Sequence, residues 1–114
     1  MKRSNLILAV ATLIVLALIA FPSLERQVAA GPPAAEVTID NFSFSPATIT
    51  VKAGTQVTWT NHDDIPHTVV SDDKSFKSKA LDTDEKFTFT ASKPGTYSYY
   101  CSIHPKMTGK LIVE

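Results

Sequence analysis

The stretch KPGTYSYYCSIHPKM, residues 93–107, holds a strand and the loop that leaves it, and its parity decides the fold. Lys93-Pro94-Gly95 is a turn signal. After it, Tyr97, Tyr99 and Cys101 recur at alternate positions and share the inward face of one strand, while Tyr100 faces outward. Tyr97, at the strand entrance, fits a tyrosine corner with its hydroxyl bonded back to the main chain. Cys101 ends the strand, and His104 and Met107 follow at Cys-x-x-His-x-x-Met spacing.

Working outward, the same period-2 pattern recurs. VTIDNFSF precedes ITVKAG, where Ile49 and Val51 share one face and Thr48 and Thr50 the other; TQVTWTN turns Val57 and Trp59 inward. HTVVS, KFTFTA and KLIVE read the same way, and AG, NHDD, SDDK and LDTD supply the turns between them. After residue 36 no segment shows an apolar stripe of helical period longer than about two turns. Seven or eight short strands in this order predict an all-β fold, an antiparallel Greek-key sandwich or barrel.

The other end of the chain is of a different kind. Lys2 and Arg3 precede the apolar run from Leu6 to Phe21, Pro22 ends it, and Val28-Ala29-Ala30 offers small residues to a signal peptidase. Residues 1–30 read as a cleaved export signal or, since the run to Leu24 approaches the length of a bilayer span, as a retained N-terminal membrane anchor. Both place the rest outside the cytoplasm, in the periplasm or on the extracytoplasmic face of the membrane. Residues 31–36 form a Pro/Ala linker, and residues 37–114 a single small domain.

From residue 31 onward, eight lysines face ten acidic residues, a net charge of −2 with neutral histidines, and there is no arginine. This lacks the basic footprint of a nucleic-acid binder. A small exported domain usually compensates for a thin core with disulfides, but this chain has one cysteine. A lone thiol there is either a small buried hydrophobe or an occupied ligand.

Cys101, His104 and Met107 offer a thiolate, an imidazole and a thioether, a donor set suited to copper. A second imidazole completes a His₂Cys plane with a weak axial methionine. His67 is assigned to that place because Pro66 and the HTVV strand fix it on either side. His62 lies in the polar NHDD turn and reads as exposed. The pairs Asp63–Asp64 and Asp72–Asp73, with Lys74, Lys77 and Lys79, read as solvated turns.

GTQVTW, PHTVV and GTYSYYCSIHPKM together resemble the cupredoxins, small blue copper proteins, and the tight loop is similar to that of amicyanins. The resemblance spans the chain from Glu36 onward. It implies His67, Cys101 and His104 as equatorial ligands of one copper ion cycling between Cu(I) and Cu(II), and Met107 as the axial one. Three positions depart from the family pattern. Thr68 replaces an asparagine that ties the ligand loops together. Ile103 replaces a proline, freeing an N–H expected to donate to the Cys101 sulfur. Lys106 sets a charge where such loops tend to be apolar.

Four protein donors leave no open position for a substrate, so an enzyme is not expected. The reading is a one-electron carrier, a monomer passing electrons between an extracytoplasmic donor and acceptor protein through His104 and an apolar surface of Ile103, Pro105, Ile65 and Pro66. Tyr100, where plastocyanins use a tyrosine for docking, reads equally as an ordinary exposed strand residue. The alternatives are a copper scavenging or delivery protein without redox turnover, and a metal-free adhesion-like sandwich.

Overall fold

The alternations become eight strands in the computed structural model, which describes residues 31–114; the export segment or anchor expected over residues 1–30 lies outside the described residues. In chain order the strands are β1 (Ala34–Asp40), β2 (Ser43–Ser45), β3 (Thr48–Val51), β4 (Thr55–Asn61), β5 (Val70–Ser71), β6 (Lys86–Ala91), β7 (Gly95–Tyr100) and β8 (Thr108–Val113). They form two four-stranded sheets, ordered β2-β1-β4-β6 and β3-β8-β7-β5. β1 starts inside the stretch expected as linker: Ala34, Ala35 and Glu36 pair with Gln56, Val57 and Thr58.

The all-β sandwich is as expected, but its sheets are mixed rather than antiparallel. β1 runs parallel to β4, and β3 parallel to β8; the other pairings are antiparallel. The reason lies in the crossings. The chain leaves the first sheet after β2 and returns at β4, so β1 and β4 are joined through the opposite sheet and no hairpin forces them to alternate. β3 and β8 are likewise partners far apart in sequence. The HTVVS segment contributes less strand than its pattern suggests: only Val70–Ser71, with His67 in an isolated bridge to Leu81.

Inward parity holds where it matters. Val57 and Trp59 of β4, Tyr97 and Tyr99 of β7, and Leu111 of β8 are buried between the sheets. Trp59 meets the Tyr99 ring edge-on at 5.5 Å and stacks tilted against Phe76 at 5.4 Å. Phe87 and Phe89 of β6 are half-buried and close the side of this core. The Tyr97 hydroxyl donates to the Lys93 carbonyl at 2.6 Å, the corner expected from its place after the turn. Tyr99 lies flat over Gly109, where a β-carbon would overlap its ring. Trp59, Tyr99 and the strand ends beyond them form a rigid floor beneath one end of the sandwich.

Candidate metal centre

Cys101 follows β7 directly and is fully buried. Its N–H donates to the Met107 carbonyl at 3.0 Å, and the Met107 N–H donates to the His104 carbonyl at 2.9 Å. The loop between them is therefore closed on itself, with Met107 buried against the core and His104 half-buried at the rim.

His67 arrives from the connection between β4 and β5. It is fully buried, and its main chain is fixed by reciprocal bonds with Leu81, at 3.1 and 2.7 Å. The segment before it is shaped by Asn61, a buried side chain with every polar atom engaged. Its amide donates to the carbonyls of Ile65 (2.9 Å) and Leu81 (2.8 Å), and its oxygen accepts the Asp63 N–H (2.9 Å). An unpaired amide there would be costly, so Asn61 fixes the loop's path as well as filling space.

The donor atoms of His67, Cys101 and His104 lie within 4.8 Å of one another. The sulfur is 3.7 Å from His67 Nδ1 and 3.8 Å from His104 Nδ1. Metal–thiolate and metal–imidazole bonds of about 2.3 and about 2.0–2.1 Å, spread at 120°, put sulfur and nitrogen about 3.8 Å apart; a tetrahedral angle brings them to about 3.5 Å. The spacing thus fits a trigonal plane of donors, and a soft thiolate beside two imidazoles and a buried thioether fits copper. His67, Cys101, His104 and Met107 are positioned to bind a single copper ion.

Around the sulfur, the Thr68 N–H donates at 3.3 Å and the Thr68 hydroxyl lies at 3.7 Å. The same hydroxyl oxygen accepts the Ser102 N–H at 2.7 Å and sits 2.7 Å from Ser102 Oγ. If Ser102 donates both of its protons to Thr68, the threonine's own proton is left for the sulfur, and the hydroxyl is fully used. Threonine thus supplies the tie between the two loops in place of asparagine. The main-chain N–H that reaches the sulfur is that of Thr68, and no hydrogen bond joins the Ile103 N–H to it as expected. Burial pushes the Cys101 thiol up, but hydrogen bonding to the sulfur, first of all from the Thr68 N–H, outweighs it and brings its pKa down to about 6.

Asp63, read as a solvated turn residue, is part of this centre. Its carboxylate lies 2.8 Å from His67 Nε2, the ring nitrogen away from the sulfur, and accepts the Asn41 and Phe42 N–H groups at 2.7 and 2.9 Å. Desolvation pushes the Asp63 carboxyl up, and these donors prevail, holding it below the usual carboxylate range. The available signal was the spacing of Asp63 and His67 across a proline, which bends the chain back on itself. Phe42 was missed as well: its ring meets His67 edge-on at 5.4 Å and His104 edge-on at 5.1 Å.

The remaining candidates lie apart. His62 is exposed, 3.6 Å from Asp84, and takes no place among the donors. Tyr100 faces outward, and its hydroxyl accepts from Lys74 Nζ at 3.2 Å. Lys106 is exposed, as are Ile65 and Ile103.

The sequence profile described as a cupredoxin-like domain matches residues 9–113. Amicyanin-alpha of Methylorubrum extorquens is 34% identical over 103 residues, covering 86% of this chain and 87% of that protein. Among solved structures, a purple cupredoxin from Nitrosopumilus maritimus superposes with a TM-score of 0.67 at 34% identity, over 70% of this chain and 99% of that one. A Cu(I) form of a mutant amicyanin gives 0.66 at 31% identity, over 71% and 82% of the two chains.

Proposed function

The chain belongs to the cupredoxin family, and from that premise we propose that it is a type 1 blue copper protein carrying single electrons between redox proteins outside the cytoplasm. His67, Cys101, His104 and Met107 would hold the ion. Copper held there supplies the Cu(II)/Cu(I) couple.

What carries the reading is the closed donor set. His67 and Cys101 are held by main-chain bonds and loop ties that the protein itself supplies. Four donors from the protein leave no position for a substrate, which argues against an enzyme. Donors that cannot move keep the reorganisation between the two oxidation states small. The Cys101 thiol, brought down to about 6, is ready as the thiolate at neutral pH.

His104 is the exit. Its ring is half-buried, and Phe42, Ile65 and Ile103 around the loops are exposed apolar side chains. An apolar rim about a ligand ring suits brief docking, because it expels water without the strong charge pairing that slows release. Residues 1–30 export the domain or anchor it at the outer face of the membrane.

Titration of the protein with Cu(II), followed by visible absorption, tests the reading. An intense thiolate-to-copper band that saturates at one equivalent, disappears in Cys101→Ser, and bleaches and returns through repeated reduction and oxidation is expected. Copper bound without that band, or lost on reduction, would turn the reading toward copper delivery.

A further inference from the structure

Asp63 joins two parts of the molecule that have no covalent reason to meet. Its Oδ1 accepts from the Asn41 N–H, while its Oδ2 accepts from the Phe42 N–H and faces His67 Nε2. Asn41 and Phe42 make the turn between β1 and β2, and both lie in the left-handed region, at φ 48° and 55°. Two consecutive non-glycine residues hold that conformation only where something fixes them. The carboxylate does so, 21 and 22 residues away in sequence.

The consequence is steric as well as electrostatic. An ionised carboxylate can only accept, so the His67 proton resides on Nε2 and Nδ1 is left with its lone pair toward the sulfur side. The turn that Asp63 fixes carries Phe42, whose ring touches both imidazoles edge-on. The two imidazoles are themselves 5.0 Å apart between centroids. A carboxylate serving only as a turn cap has no need of the histidine. A phenyl ring that was merely exposed would not lie against both rings at once.

We propose that Asp63 and Phe42 form one positioning unit for the copper site: the carboxylate sets the tautomer and place of His67, and by pinning the Asn41–Phe42 turn it wedges the phenyl ring against His67 and His104. This rests on the copper reading above, in which those histidines are ligands. Asparagine at 63 cannot replace the carboxylate, because one carbonyl oxygen cannot serve three N–H donors spread over both carboxylate oxygens.

The test compares the full protein with Asp63→Asn, Phe42→Ala and Phe42→Leu, first without metal and then loaded with copper. Without metal, hydrogen exchange at the Asn41 and Phe42 amides and the ¹⁵N shifts of the His67 ring are read. In Asp63→Asn, both amides are expected to exchange at least about tenfold faster, and the His67 Nε2–H signal to broaden or be lost. In Phe42→Ala, the His67 signal persists. With copper, Asp63→Asn is expected to keep the blue band but shift the Cu(II)/Cu(I) balance about tenfold toward Cu(I), a rise of about 59 mV, because a negative charge near the metal is removed. Phe42→Ala is expected to broaden the copper spectrum, with Phe42→Leu restoring part of the change.

Amide exchange and ring shifts unchanged in Asp63→Asn would overturn the clamp. An unaltered potential in Asp63→Asn together with an unaltered spectrum in Phe42→Ala would overturn the positioning role. If the unmodified protein shows no blue band, the copper reading has failed, and the metal-free measurements alone decide whether the clamp exists.

Discussion

The main-chain N–H of Thr68 points at the sulfur of Cys101 from 3.3 Å, across 33 residues of sequence, and the hydroxyl of the same residue lies 3.7 Å from that sulfur. A single threonine therefore brings two donors to the thiolate and also grips Ser102. Thr68→Val keeps the N–H and the volume but removes the hydroxyl. With one donor fewer, the thiolate gives more charge to the metal, so Cu(II) gains and the reduction potential falls. A redox titration of the copper-loaded protein checks the sign. Unfolding in denaturant should show a loss of about 0.5–1.5 kcal/mol from the broken tie to Ser102, which water can reach.

The metal-free protein should gain stability with rising pH between about 6 and 9. The thiol titrates near 6 when folded, against 9 for the free side chain. A depressed folded value means the stabilisation is complete above the unfolded pKa and is lost as pH falls through the folded one. Its size is on the order of 4 kcal/mol at most. Thiolate absorbance near the far ultraviolet edge follows the folded titration, denaturant midpoints follow the stability, and Cys101→Ser should flatten both.

Gly109→Ala should cost more than an alanine in a strand usually does. The added methyl overlaps the Tyr99 ring, which is buried and meets Phe44 and Trp59 edge-on. Over-packing of this kind costs about 1–3 kcal/mol. Tyr99 lies two residues before Cys101, so the copper band should broaden as well; thermal unfolding and the visible spectrum report the two effects.

Tyr97→Phe removes the hydroxyl that reaches the Lys93 carbonyl and leaves the ring in the core. A loss of about 1 kcal/mol is expected in denaturant unfolding, with no change in the copper spectrum. This distinguishes a residue that holds the sandwich from those that hold the metal.

Much of this architecture was legible because period-2 alternation is a local property. Tyr97, Tyr99 and Cys101 could be set on one face from spacing alone, and Cys101, His104 and Met107 announce themselves by residue type and separation. The parallel pairing of β1 with β4 was not legible, since strand order depends on which sheet a crossing lands in. Asp63 and Phe42 escaped for a similar reason. Aspartate in NHDD looks like any turn residue until the β1–β2 turn is brought to it from elsewhere. Phe42 falls in the turn between β1 and β2, where period-2 parity assigns no face. The Thr68 substitution was visible, but that its hydroxyl takes over the loop tie depends on Ser102 lying within 2.7 Å.

Three of the four donors lie within residues 101–107, while His67 stands 34 residues before Cys101. The unfolded chain thus carries a thiol, an imidazole and a thioether in one short peptide, and lacks the donor that tertiary structure delivers. Metal that met the 101–107 segment before folding would gain its fourth donor only once folding brought His67 to it. The same feature limits how far metal can protect the fold, since an ion that also binds the unfolded chain stabilises the folded one by less than its affinity suggests.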